Sequence, residues 1–125
     1  MLEKYIHNGV VMLFHYTGYL GGETEVLDPD IALQNMQAYS KREYATSNVP
    51  RLFFYLVPSE KEHFVSAKNL YVAKVSPDVI YDFTIDPDLI VRNWKNGNAP
   101  GNYNILFNSV KEAGYKGAAY SFSRD

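Results

Sequence analysis

Gly9-Val10-Val11-Met12-Leu13-Phe14-His15 is the stretch on which the fold turns. It is a short apolar run, β-branched at its start and opened by a glycine, and it predicts a buried strand. The strand ends on His15-Tyr16-Thr17 and runs into a loop, Thr17–Glu25, that holds Gly18, Gly21 and Gly22. Such a loop is long enough to lie over a site at the strand's end. Upstream, residues 1–8 read as a polar and aromatic lead-in or a short helical turn. Downstream, Asp28-Pro29-Asp30 is a helix start: a capping carboxylate, a proline at the first helical position and a second acid at the positive end of the dipole. Ala32, Leu33, Met36 and Tyr39 then share one face, which predicts a helix over 29–39.

Ser40–Pro50 lacks a period and reads as a second exposed loop. Arg51–Val57 is apolar on both faces, which predicts a central strand. Leu70–Val75 and Val79–Thr84 predict two further strands. Asp86-Pro87-Asp88 repeats the helix-start chemistry, with Leu89, Ile90 and Trp94 as an apolar face and Gly97 as a left-handed stop. Asn96–Asn102 is a loop. Asn102–Ala113 is the strongest helix, with Tyr103, Leu106, Phe107 and Val110 on one face and Gly114 ending it. Gly117–Phe122 is a last short strand. The order β, α, β, β, β, α, α, β predicts a single α+β domain over residues 1–125, with a small mixed sheet and about three helices.

Composition bounds the function. The 125 residues suit one domain, and 46% hydrophobic with 21% charged residues excludes broad disorder. A net charge of −2 gives no global basic field, which disfavours nucleic acid as a partner without removing a local basic patch. Cysteine is absent, so disulfides, thiolate nucleophiles and Cys-based metal sites are excluded. His7, His15 and His63 lie far apart, and no metal is expected. The longest apolar runs, Val10–Phe14 and Leu52–Val57, fall far below the roughly 18 residues that span a bilayer. Glu3, Lys4 and His7 interrupt the N-terminus, so no signal peptide is read there and a cytoplasmic location is expected. Walker, dinucleotide G-x-G-x-x-G, H-E-x-x-H, EF-hand and G-x-S-x-G motifs are absent.

The chemistry-bearing candidates cluster at strand ends and loops. His15, with Tyr16 and Thr17 beside it, could hydrogen-bond a sugar hydroxyl or amide; the plainer alternative is a histidine bonded to a backbone carbonyl. Tyr55 could stack on a flat ring and offer its hydroxyl, or pack in the core. Arg51 could grip a phosphate through two N–H groups, or sit in a surface ion pair. Tyr16, Tyr19, Tyr39 and Tyr44 suit a stacked heterocycle and a protein surface equally. Glu23-Thr24-Glu25 and Glu60-Lys61-Glu62 pair carboxylates, but among polar neighbours that leave them solvated.

Taken in order, Leu13-Phe14-His15-Tyr16-Thr17, Val26-Leu27-Asp28-Pro29 and Val49-Pro50-Arg51-Leu52-Phe53-Phe54-Tyr55 form a pattern. It continues through Leu70–Val75, Ile80-Tyr81-Asp82-Phe83 with Asp86-Pro87, and Val110–Gly117. Over residues 12 to 122 this set resembles the small ADP-ribosyltransferase-like domains of phage and bacterial polymorphic toxins. The resemblance implies a split sheet that holds NAD in a cleft, as the substrate of mono-ADP-ribosyl transfer to a host protein or other macromolecular acceptor. It places His15 on the nicotinamide ribose with Thr17 beside it, and Tyr55, or Tyr44 in its stead, on the nicotinamide; Tyr16 and Arg51, from the residue reading, complete the expected NAD-binding set. His15 and Tyr55 would be the catalytic pair. The family's late glutamate, which stabilises positive charge at the ribose carbon, has no counterpart: no glutamate follows Glu112. The domain is therefore expected to lack its last strand, to use another carboxylate, or to be an inactive relative that binds a protein or nucleotide as a module or inhibitor. An unrelated structural component of an assembly is the remaining reading.

Overall fold

The computed structural model describes residues 1–17, 29–30, 47–57 and 69–120, with the backbone alone at Tyr16, Thr17 and Asn69. Five strands are described: β1 (Ile6–His7), β2 (Val10–Thr17), β3 (Asn69–Val75), β4 (Ile80–Asp82) and β5 (Gly117–Ala119). Two α-helices accompany them, α1 (Ile90–Lys95) and α2 (Tyr103–Glu112), with 3-10 turns at Leu2–Tyr5 and Pro77–Val79. β1, β2 and β3 form an antiparallel sheet in that order, and β4 pairs with β5 in parallel. The described residues form a small mixed α+β arrangement, as the alternation of elements predicts, but with two sheets in place of the single small mixed sheet it suggests.

The opening strand forms, and it is longer than its apolar run because His15, Tyr16 and Thr17 continue the ladder against Tyr71, Leu70 and Asn69. Its start is a hairpin. His7 pairs with Val10 across Asn8 and Gly9, whose φ values of 53° and 79° are the two positive angles of a type I′ turn. Asn-Gly is the dipeptide that adopts that turn at least cost. Leu2, on the preceding 3-10 turn, packs with Val11 and Ala119, so this small core joins the two sheets. Val11 and Tyr81 are fully buried.

Between β4 and β5 the chain makes a parallel crossover through α1 and α2. Asn102 caps α2 by accepting from the Asn104 N–H, and Gly114, at φ 95°, ends it. Leu106 and Val110 carry its buried face. Trp94 on α1 meets Tyr103 with ring centres 5.2 Å apart and donates its indole N–H to the Asn102 carbonyl at 2.9 Å.

Four expectations need correction. Arg51–Val57 is not a central strand. It makes one bridge, Tyr55 to Phe14, through hydrogen bonds of 2.7 and 2.9 Å, and bends at residues 56–57. Phe14 also faces Val72 of β3, so Tyr55 lies on the other side of β2, along the edge that β1 begins. Tyr55 is 47% exposed, and Leu70 and Val72 are about as open.

The second helix does not begin at Pro87. Residues 83–85 and 87–88 are turns, Leu89 is left-handed at φ 59°, and α1 begins at Ile90. Asp86, itself at φ 52°, reaches forward instead: its carboxylate accepts from the Val91 and Arg92 N–H groups, each at 3.0 Å. It thus serves the cap from four residues before the helix. Gly97 is not a left-handed stop either, since it is absent from the positive-φ glycines; a Cβ there would come within 3.0 Å of the Asn93 carbonyl, so close approach is its reason. Finally, β5 is shorter than the Gly117–Phe122 run, ending at Ala119. Pro29 and Asp30 are helical; the rest of the 29–39 helix, most of the two long loops and both Glu-x-Glu pairs lie outside the described residues.

No described helix is long and apolar enough to cross a membrane.

Candidate functional site

β2 and the 51–57 segment bring His15 to one place with Phe53 and Phe54. The Phe14–Tyr55 pairing sets His15 opposite Phe54, and their rings meet at 5.3 Å between centres with a 51° tilt. The His15 Nδ1 lies 2.5 Å from the Phe53 carbonyl oxygen. A carbonyl only accepts, so Nδ1 carries the hydrogen and donates. In the neutral ring Nε2 is then an acceptor, and among the described residues it has no hydrogen-bond partner. His15 is half-buried. One nitrogen of this histidine thus serves the backbone, as the plainer of its two sequence readings has it.

Tyr55 does not share that place. Side chains directly opposed across an antiparallel pair stand on one face, and neighbours along a strand alternate. Tyr55 is thus on the face of Phe14 and Val72, and His15 is on the other with Phe54 and Tyr71. The two residues given catalytic roles in the sequence reading point to opposite sides of the sheet. The backbones of Tyr16 and Thr17 complete β2; their side chains, and the whole of Tyr44, lie outside the described residues.

Arg51 is engaged within the protein. One guanidinium nitrogen donates to the Val49 carbonyl at 2.8 Å and to the Ser47 carbonyl at 3.5 Å. The guanidinium lies 4.7 Å from the centre of the Phe107 ring and 5.4 Å from that of Phe53, a cation between two aromatic faces. These contacts tie α2 to the segment that carries Phe53 and Phe54. Asn104 adds a second tie: its side-chain oxygen accepts from the buried Ser47 hydroxyl at 2.8 Å and from the Asn48 N–H at 2.6 Å. Neither tie is readable from sequence, because each joins residues more than 50 positions apart.

Two buried carboxylates lie elsewhere, at the β4 side. Asp86 accepts from the Tyr81 hydroxyl as well as from α1, and the Asp88 N–H donates to that hydroxyl at 3.0 Å. Burial pushes the Asp86 carboxyl up, but the hydrogen bonds from Tyr81, Val91 and Arg92 outweigh it and hold the group below its usual range. Burial and the same carboxylate raise the Tyr81 phenol. Asp82 accepts from the N–H groups of Leu2 and Thr84, each at 2.9 Å, and lies 3.3 Å from the Met1 amino group. Against the upward push of burial, these donors hold it low as well. Fully bonded carboxylates of this kind are structural: their lone pairs are committed, and neither is placed near His15 by any contact. Glu112, the last glutamate, is exposed at the end of α2. Among the described residues no group of three or more His, Asp or Glu side chains could hold a metal ion.

No family model, curated protein or solved structure matches this chain.

Proposed function

We propose that the chain is a mono-ADP-ribosyltransferase-like domain that binds NAD at the end of β2, with His15 as its principal ligand-facing side chain. The observation that carries this reading is the state of His15: half-buried, held by one nitrogen to the Phe53 carbonyl, with no hydrogen-bond partner for the other among the described residues. A histidine fixed in this way can receive a hydrogen bond from a ribose hydroxyl without bearing charge. The ordered motifs from residue 12 to 122 support the same reading, as does the separation of the strands into an antiparallel and a parallel group, which suits a split sheet. Tyr55 is not part of this site; its face and exposure suit contact with a macromolecular acceptor such as a host protein.

A second reading, NAD or nucleotide binding without transfer, is favoured by Glu112, which stands exposed on a helix end. Two measurements separate them. Calorimetric titration of the full chain with NAD should give binding in the micromolar range that substrate constants occupy, and His15→Ala should abolish it with the circular dichroism spectrum unchanged. Equal affinity in the two proteins would refute the site. Release of free nicotinamide from NAD by the chain would then establish transfer chemistry, and binding with no release would establish the second reading.

A further inference from the structure

We propose that Phe54 is a positioning residue for His15, fixing the imidazole so that Nε2 is its only open nitrogen and the bound group must be a hydrogen-bond donor. Phe54 stands directly across the strand pair from His15, and its tilted ring lies 5.3 Å away. Turning the imidazole over about its outer side-chain bond would exchange Nδ1 for a ring carbon and leave the Phe53 carbonyl without its donor. Phe54 occupies the space beside the ring and opposes that turn. The carbonyl is fixed in its own right, since the Phe53 ring lies under Arg51, which is held by the Ser47 and Val49 carbonyls and by Phe107. A path of contacts thus runs from α2 through Arg51 and Phe53 to the tautomer of His15. Its consequence is chemical selection: a neutral imidazole with Nδ1 occupied accepts at Nε2, so a hydroxyl or amide N–H is the group that fits there. A ligand that presents only acceptors does not.

The ligand half of this inference rests on the NAD reading; the tautomer half does not. The test is a long-range proton–nitrogen correlation spectrum of the full 125-residue chain above the titration range of histidine. His7 and His63 serve as internal references, and His15→Gln assigns the signal. The wild-type His15 should show hydrogen on Nδ1. In Phe54→Ala, and in Phe54→Leu if the alanine variant fails to fold, the signal should move to a mixture of tautomers. NAD affinity should fall in proportion to the fraction of rings that leave the Nδ1–H form, about twofold for an even mixture. Hydrogen on Nε2 in the wild type, or an unchanged tautomer in the folded variants, would overturn the proposal. So would unchanged NAD affinity in a variant whose tautomer has shifted. A wild-type chain with the expected tautomer and no NAD affinity would instead remove the NAD reading and leave the positioning of His15 in place.

Discussion

Replacing Asp86 should be among the most damaging single changes outside the apolar core. The side chain is 4% exposed and its carboxylate receives three donors: the Tyr81 hydroxyl and the N–H groups of Val91 and Arg92. In Asp86→Ala the two helix N–H groups lose their cap, which costs about 1 kcal/mol in typical helices. The Tyr81 hydroxyl, on a fully buried ring, loses its acceptor, and a buried group left unsatisfied costs about 1–3 kcal/mol. A total near 3 kcal/mol follows, a large share of the roughly 5–15 kcal/mol by which domains are stable. The left-handed backbone at φ 52° adds strain in the alanine variant, so Asp86→Asn is the better comparison. Asparagine tolerates that conformation nearly as well as aspartate and keeps one acceptor oxygen. It should cost about half as much, near 1.5 kcal/mol. Urea unfolding followed by circular dichroism reads both values from the midpoint at constant slope. The reasoning fails if both variants lie within about 0.5 kcal/mol of wild type, the range of ordinary surface changes.

The same carboxylate sets an acid dependence. Its folded pKa lies below the ordinary 3.8, so its contribution is complete above that value and is lost as pH falls through the depressed one; an acid titration of Asp86→Asn should show a shallower loss than wild type. Arg51→Lys keeps a charge but loses the planar fork and the stacking on Phe107 and Phe53; a destabilisation of about 1–2 kcal/mol by urea unfolding is expected. Asn104→Ala removes the acceptor of both Ser47 and Asn48 and should raise proteolytic cutting near residue 48, whereas Asn104→Asp, which keeps an oxygen there, should not. Gly9→Ala meets no atom within 4 Å, so its expected loss of about 1 kcal/mol in thermal unfolding comes from the positive φ alone.

The site was legible in its parts and not in its assembly. The strand ending in His15 announces itself by an apolar run, and the candidate tyrosine and arginine by their place in a second run. What sets them together or apart is register, and register is not local. With Phe14 facing Tyr55, His15 meets Phe54 and Tyr55 turns away; a slip of one residue would reverse the faces. Arg51, read as a phosphate ligand or one side of a surface ion pair, is taken up instead by the nearby Ser47 and Val49 carbonyls and by Phe107, on a helix more than 50 residues later. The Asn8-Gly9 turn is different: its cause is wholly local, a dipeptide that adopts two positive φ angles at little cost.

Elements with short-range causes can be read from neighbouring residues alone. The apolar run of β2, the α2 face of Leu106 and Val110, the Asn102 cap and the Gly114 stop all follow from residues within one or two turns of each other. Features that depend on distant partners emerge only in the folded chain. Folding reduces Arg51–Val57 to a single bridge, moves the start of α1 to Ile90 under a carboxylate committed also to Tyr81, and leaves His15 with one nitrogen spoken for. The physical reason is the same throughout. Propensity and periodicity act along the chain, whereas the hydrogen-bond partner of a strand edge or a buried polar group is chosen by whatever segment folding brings beside it.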